Sequence, residues 1–518
     1  MFYRLILKIV NKNKYLQFLS GIGLGALLLA GCATVDEPLH DNLLSPTPAV
    51  RQCAEAFRAL DAAVERAGVG DAEARRIAGF PYLRVDRYHA HLRDAAGGDA
   101  RASDRYAQWV SRLHALDHDA RRAEISTLPA AEIHALQGRG RAALLDQTAR
   151  CADTLRRQDL ASPQRMALLH TRAQVPDSYA TWQRVAGFYA LMRVPFYAGI
   201  VQWHNEMLQA FQHSAERRTP AQPLLRYALT DPPAVTREAL AAIIRRASEN
   251  PLRLPEYSSE ERALLASAFA PVFEVETGGA YDRIGRLQWG DSVAPQVDTA
   301  AAVVYYRIAY TAHDDFAERT LTQIVYTIWF SERPHDHAWD LLAGRLDGVM
   351  LRVTLSPHGE PLVYDSIHAC GCYHLFFPTA RVRAVPAPQG AGEWAFAPAT
   401  LPAHSVGARV AVRVATRTHY LVNVALDKSA AARSYTLLPE DALRSLPLAD
   451  GQGRSVYGAD GIIAGTARSE RVFFWPMGIP SAGAMRQWGR HATAFVGRRH
   501  FDDADLIGQR FRMVSVGP

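Results

Sequence analysis

The chain has 518 residues, 48% of them hydrophobic, and a formal net charge of +6. This length allows two or three domains with a large core, and the composition excludes a disordered or fibrous chain. Four of the basic residues lie before Cys32, and the single lysine after them is Lys428. The remaining chain is therefore nearly neutral, and its arginines are scattered among acids, which argues against a nucleic-acid-binding protein.

Residues 1–31 have the layout of a secretory signal, because a basic start is followed by an apolar run from Gly21 to Ala30. The segment Leu29-Ala30-Gly31-Cys32 resembles the lipobox of bacterial lipoproteins. The resemblance implies cleavage before Cys32, attachment of diacylglycerol and palmitate there, and a membrane partner held through this lipid. Ala33, where inner-membrane lipoproteins have Asp, implies the outer membrane, with the domains in the periplasm. An uncleaved membrane anchor is the alternative, but the apolar run is short for one.

Residues 32–49 carry three prolines and no periodicity, which predicts a lipidated cysteine followed by a flexible tether. From residue 50 to 270, apolar residues recur at spacings of three and four, which predicts an α-helical domain. Cys53 and Cys151 both lie in helical patterns of this domain. An exported compartment permits disulfides, so a Cys53–Cys151 bond is one interpretation and two buried thiols are the other.

The stretch from Trp182 to Trp203 is apolar and aromatic, and Arg184, Arg193 and Pro195 are its only interruptions. It is compatible with a hairpin that lies on a membrane surface. Two core helices with a kink at Pro195 are the alternative. We expect the core helices, because membrane-surface helices usually carry a richer basic face.

From residue 271 to 518, short runs rich in Val, Ile and aromatic residues alternate with Gly, Pro, Asp and His, which predicts a β-rich domain. Long helical patterns are sparse between these runs, so the sheet is expected to be mainly antiparallel. Ser356–Gly359 predicts a hairpin turn. The whole chain is therefore predicted to be α+β. The predicted strands are residues 272–275, 303–310, 322–330, 349–355, 409–415, 420–425 and 471–475.

The segment from His368 to His374 contains the sharpest chemical signal, because His368, Cys370, Cys372 and His374 place four metal-ligating side chains in seven residues. Thiolate and imidazole ligands suit zinc or copper. In a straight strand these side chains would be about 6.6 Å apart and could not enclose one ion. A tight turn at Gly371 could bring them together, with His491 or His500 as a distant further ligand or general base.

Three other interpretations of this segment remain open. Cys370 and Cys372 could form a reducible disulfide, both could be inert core residues, or one could be a nucleophile with a histidine base. The chain contains no HExxH, GxSxG or GxxxxGK[ST] motif. The segments YDSIHACGCYHLFFP and GRHATAFVGRRHFDD faintly resemble uncharacterised proteobacterial proteins that have no assigned activity.

Two classes of function follow from these patterns. We expect a lipid-anchored envelope protein that is a non-catalytic scaffold or binding module, with a structural metal or disulfide at residues 368–374. The alternatives are a zinc- or copper-dependent enzyme, most plausibly a hydrolase, and a thiol–disulfide redox protein that uses Cys370 and Cys372. Protein partners cannot be named from these patterns.

Overall fold

The computed structural model describes residues 37–96, 103–136, 140–216, 222–290, 294–316, 320–337, 339–390, 392–427 and 432–514. Cys32 and the predicted signal lie outside the described residues. Helices predominate in the N-terminal half and strands in the C-terminal half, which confirms the predicted α+β class.

The helices lie mostly before residue 270, as the periodicity predicts. They are α1 (Glu37–Leu43), α2 (Pro48–Ala67), α3 (Arg87–Ala96), α4 (Asp104–Thr127), α5 (Ala130–Ala135), α6 (Gly140–Leu160), α7 (Pro163–Arg172), α8 (Thr181–Ala186), α9 (Tyr189–Glu216), α10 (Arg237–Ala247), α11 (Ser259–Ala268) and α12 (Leu506–Arg510).

The predicted tether is wrong for residues 37–49, because helix α1 and the start of α2 occupy this segment. Asn42 is buried, and its amide donates a hydrogen bond to Asp159 Oδ1 at 3.0 Å. Asp159 also accepts a hydrogen bond from the hydroxyl of Tyr82 at 2.8 Å. These partners are far away in the chain, so local periodicity could not reveal that the segment is folded.

A two-stranded hairpin, β1 (Arg75–Ile77) and β2 (Phe80–Val85), interrupts the predicted helical domain. Every residue of β2 is buried, and short apolar runs of this kind cannot be distinguished from a helical segment by periodicity. Arg84 of β2 binds Asp117 and Glu124 of α4 at 3.1 and 2.7 Å. These buried ion pairs fix the hairpin against α4.

The remaining strands build a six-stranded and a five-stranded sheet, with small two-stranded ribbons beside them. They are β3 (Leu224–Ala228), β4 (Val272–Glu276), β5 (Arg286–Trp289), β6 (Pro295–Asp298), β7 (Val303–Ala312), β8 (Thr320–Arg333), β9 (Gly344–Leu355), β10 (Pro361–His368), β11 (Leu375–Pro378), β12 (Val382–Ala384), β13 (Val410–Val414), β14 (Leu421–Leu426), β15 (Arg433–Ser434), β16 (Thr436–Pro439), β17 (Leu446–Pro447), β18 (Gly453–Arg454) and β19 (Phe511–Met513).

The six-stranded sheet has the order β11-β10-β9-β8-β7-β16, and all its pairs are antiparallel except β16 with β7. The five-stranded sheet has the order β14-β13-β4-β3-β15 and is mixed. The largest apolar core contains residues of both sheets and of α10 and α11. Because β3 pairs with β4, the five-stranded sheet crosses the boundary predicted at residue 270.

The predicted turn at residues 356–359 connects β9 with β10, and Gly359 N donates to Ser356 O at 2.9 Å. The predicted strand at residues 471–475 is wrong. Short 3₁₀ turns occupy Ser469–Val472 and Trp475–Met477 instead. Phe474 of this segment stacks on Phe495 and meets Phe196 edge-on, so its ring serves packing rather than strand pairing.

Residues 485–513 form a C-terminal strap that contacts both halves of the chain. Arg87 of α3 donates to Asp502 at 2.9 Å, and Ala312 N of β7 donates to Ala504 O at 2.7 Å. At the end of the strap, β19 pairs with β12. The strap therefore fastens the helical half to the six-stranded sheet.

Candidate functional site

The segment from His368 to His374 forms the tight turn between β10 and β11. Gly371 has a φ of +92°, which favours glycine, and its N–H donates to His368 O at 2.7 Å. His368 N in turn donates to Cys372 O at 3.0 Å. A Cβ on Gly371 would lie 2.6 Å from Ala492 O, so the turn also sits close to the strap.

The two histidines of this segment have different carboxylate partners. His374 Nε2 lies 2.9 Å from Asp365, which is held by two hydrogen bonds from Arg352. His368 Nδ1 lies 3.5 Å from Asp347 instead. Asp365 and His368 are three residues apart in β10, so they face opposite sides of the sheet. The turn therefore separates the two imidazoles rather than bringing them together.

His368 belongs to a buried chain of alternating carboxylates and imidazoles that the sequence analysis missed. Asp347 lies 2.8 Å from His419 Nδ1, and Asp282 lies 3.4 Å from His419 Nε2. Burial alone would lower the pKa of His419, but the hydrogen bonds with Asp282 and Asp347 raise it above its ordinary value. His368 Nε2 is buried and has no hydrogen-bond partner.

Backbone strain accompanies this row of carboxylates and imidazoles. Leu346, Tyr373, Arg417 and His419 all have a positive φ, between 52° and 66°. Such conformations are unfavourable for residues other than glycine and persist where the surrounding contacts enforce them. The ring of His419 stacks on Phe330 at 3.9 Å, which helps to hold it.

Cys370 and Cys372 are buried free thiols. A hydrogen bond with Cys370 and burial raise the pKa of the Cys372 thiol well above its ordinary value. A protonated, buried thiol is a poor nucleophile and a poor metal ligand. The structure thus gives both cysteines the environment of core residues.

His491 and His500 have polar partners that differ from those of His368 and His374. His491 Nε2 lies 3.2 Å from Ala369 O, and burial lowers its pKa to about 3. His500 lies 3.2 Å from Asp503 and 3.3 Å from Asp177. Across the described ranges, no three side chains of His, Cys, Asp or Glu are arranged to hold a metal ion.

Cys53 and Cys151 form a disulfide in the structure, with their Cα atoms 4.9 Å apart. The bond joins α2 to α6 and closes a separation of 98 residues. Of the two interpretations of these cysteines, the disulfide is therefore the one that the structure shows.

A cavity of about 310 Å³ opens between the helical half and the six-stranded sheet. Its walls come from the segment before β1, from α3 and α4, from β7, and from the 3₁₀ turn Glu440–Ser445. Trp488 and Asp502 of the strap complete it. We call this cavity the cleft.

Arg307 of β7 is the centre of the cleft floor. It binds Glu73, and its Nη1 donates to Glu440 Oε2 at 3.2 Å. Its guanidinium lies 4.5 Å from the ring centre of Trp488. Burial raises the pKa of both Glu73 and Glu440, and the nearby arginines do not fully offset this. Two carboxyl groups with raised pKa thus share one guanidinium.

A second guanidinium, Arg444, extends this network. It donates to both carboxylate oxygens of Asp71 at 3.0 Å and lies 3.4 Å from Asp441. Together with Arg307, it faces four carboxyl groups. Three of them, Asp71, Glu73 and Asp441, line the cleft beside the two arginines, so this part of the lining has one more acid than base.

Three arginines lie at the rim of the cleft. Arg112, Arg122 and Arg262 line it from α4 and α11, and Arg122 and Arg262 are exposed. Arg122 is paired with Asp119, which also lines the cleft, whereas the exposed guanidinium of Arg262 can meet an anion from solvent. The rim thus offers Arg262 above the acids of the floor.

None of these cleft residues was a predicted site residue. The single local signal is Arg307, a charged side chain inside the strand pattern VVYYRIAY. Its partners come from segments that are far apart in the chain. Compared with known proteins, the chain matches no family model, no curated protein and no solved structure.

Proposed function

We propose that this protein is a lipid-anchored binding module of the cell envelope, and that its ligand occupies the cleft. The segment Leu29-Ala30-Gly31-Cys32 supports the anchor, and Ala33 supports the outer-membrane address. The cleft supports the binding function. Its volume of about 310 Å³ lies at the lower end of the range of small-ligand pockets, roughly 300–1,000 Å³.

The distribution of charge in the cleft carries the proposal and suggests the class of ligand. The acidic floor around Arg307 and Arg444 would hold a cationic group. The exposed guanidinium of Arg262 at the rim would hold a carboxylate. A small zwitterionic ligand, such as an amino acid or a dipeptide, satisfies both requirements.

The two alternative functions have less support in the geometry. A metal-dependent hydrolase needs an open metal site, whereas His368 and His374 are engaged with different carboxylates. A thiol–disulfide redox function needs an accessible thiolate, whereas the Cys372 thiol is buried with a raised pKa. A binding module requires neither a metal site nor a reactive thiol.

Titration calorimetry of the full chain with free lysine, free glutamate and the dipeptide lysyl-alanine tests the proposal. We expect lysyl-alanine, which carries both ammonium groups and a carboxylate, to bind. Arg262→Gln should weaken this binding, because the rim loses a guanidinium. Arg262 is exposed, so this substitution should leave the fold intact.

Arg237→Gln is the matched control, because Arg237 is also a mostly exposed helix arginine but lies outside the cleft. Its binding should equal that of the unsubstituted chain. Absence of heat with every probe, or equal loss in both variants, would reject the cleft as the binding site.

A further inference from the structure

The outer face of helices α8 and α9 is an exposed apolar stripe. Its members are Trp182, Val185, Phe188, Leu191, Val194 and Val201, and each is at least 41% exposed. Trp182, Phe188 and Leu191 reach 64%, 74% and 73%. The expectation that this stretch is buried in the helical core is therefore wrong for its outer face.

The inner face of α9 is also apolar. Phe196, Ile200 and Met207 are buried, and the first two pack with Met477 and Val496. The first half of α9 is thus apolar on both sides, although only its inner side packs on the protein. A helical segment that is apolar all round requires a second apolar surface. Within the described parts of the chain, no helix is long and apolar enough to span a bilayer.

The backbone holds the stripe outward at a conformational cost. Phe188 has a φ of 53°, which is unfavourable for an aromatic residue by about 1–2 kcal/mol. Gly187 permits the close approach of the loop at Pro476, because a Cβ there would lie 2.7 Å from the Pro476 backbone. On this loop, Trp475 packs edge-on against Trp182.

The charge within the stripe is basic. No acidic residue occurs between Asp177 and Glu206, and Arg193 is exposed within the stripe. Just before the start of α8, Asp177 is paired with Arg498, which also donates to Thr181. An apolar face that carries a tryptophan and an exposed arginine, and no acid in its own segment, complements an anionic phospholipid surface.

The short distance along the chain from the lipid site to the folded part allows the same partner. Only five residues separate Cys32 from Pro38, which allows a reach of about 20 Å. A lipid on Cys32 would thus keep the folded part close to the bilayer, where a second contact can form.

We infer that the stripe is a second membrane contact and lies flat on an anionic phospholipid surface. This inference goes beyond the proposed function and takes from it only the lipid anchor, which would keep the stripe within reach of the membrane. The lipid on Cys32 would supply most of the affinity, so the stripe does not need a polybasic face. Its role is to fix the orientation of the protein on the membrane, with the ring of Trp182 among the lipids.

Tryptophan quenching by brominated phospholipids tests this inference. The full chain would be incorporated into vesicles of phosphatidylethanolamine and brominated phosphatidylglycerol, and flotation would first show that it is bound. We expect strong quenching in the unsubstituted chain and loss of most of it in Trp182→Phe. The pair Leu191→Glu and Val194→Glu should abolish the quenching without preventing flotation, because the lipid still anchors the chain.

Two controls match these variants. Trp339→Phe removes a tryptophan outside the stripe that is even more exposed than Trp182, at 77% against 64%. Leu44→Glu charges an exposed leucine elsewhere. Both variants should retain the strong quenching. Flotation with quenching that does not depend on Trp182 overturns the inference but not the anchor or the cleft. Absence of flotation overturns both membrane contacts, while calorimetry reports separately on the cleft.

A second copy of the chain is the competing occupant of the stripe. In that case, sedimentation would show a dimer that becomes a monomer in the double glutamate variant, and brominated lipid would not quench. This outcome would also overturn the inference.

Discussion

Two buried histidines beside carboxylates have pKa values that are shifted in opposite directions. His419 lies between Asp347 and Asp282, and their hydrogen bonds raise its pKa despite burial. His374 has a single carboxylate partner, Asp365, which is already neutralised by Arg352, and burial lowers its pKa to about 3. Two carboxylates therefore outweigh the effect of burial on the pKa of His419, whereas the one carboxylate beside His374, bound twice by Arg352, does not.

We expect opposite pH dependences when these histidines are removed. The stabilisation by His419 is fully present below pH about 6.5 and is lost as pH rises through its folded pKa. The contribution of neutral His374 is present above pH about 6.5 and is lost as pH falls towards its folded pKa of about 3. Each effect has a slope of about 1.4 kcal/mol per pH unit.

Urea unfolding across this pH range tests both substitutions. The difference in unfolding free energy between the unsubstituted chain and His419→Asn should shrink as pH rises. The corresponding difference for His374→Asn should shrink as pH falls. Differences that change in the same direction would contradict the assigned protonation states.

A comparison of Gly371 with Gly407 separates the effect of backbone strain from the effect of a steric clash. Both have a strongly positive φ, +92° and +95°. A Cβ on Gly371 would clash with Ala492 O, whereas nothing lies within 4 Å of one on Gly407. We expect Gly371→Ala to lower the unfolding free energy by roughly 1–3 kcal/mol more than Gly407→Ala, measured by urea denaturation. Equal losses would show that the turn at residue 371 can move away from the strap.

The helices depend on one covalent link, between α2 and α6. In the unfolded chain, the Cys53–Cys151 bond restricts a separation of 98 residues. Loss of a bond over a loop of about this length should cost roughly 2–5 kcal/mol. We therefore expect Cys53→Ala with Cys151→Ala to lower the unfolding free energy by this amount.

Reduction of the unsubstituted chain provides the comparison for this prediction. Dithiothreitol should destabilise the unsubstituted chain and Cys370→Ala to the same extent, because Cys370 is a free thiol. It should not destabilise the double alanine variant further. A double alanine variant that is as stable as the oxidised, unsubstituted chain would contradict the prediction.

The elements themselves were largely predictable from the sequence. Helical periodicity before residue 270 and β-branched runs after it predict the order of helices and strands. The failures have physical reasons. Strand β2 is a short apolar run without a distinguishing period, and α1 depends on the distant partner Asp159. The apolar run at residues 471–475 packs through its rings without forming a ladder.

At the scale of the whole molecule, the candidate site could not be predicted. The local turn at Gly371 was foreseen, but the two histidines beside it face opposite sides of a sheet. The cleft depends on Glu73, Arg307 and Trp488, which lie hundreds of residues apart. No spacing rule connects such residues, because only the packing of the helical half on the sheet brings them together.

The C-terminal strap has a consequence for the order in which the protein matures. A ribosome makes the chain from its N-terminus, so Arg87 and Arg307 exist long before Asp502 and Trp488. A product cut short before residue 485 would leave both arginines without these partners and expose the edge at β12. Proteases recognise such loose edges. A closed strap therefore marks a chain that was synthesised through residue 513, and a copy that ends before the strap is left open to proteolysis at this edge.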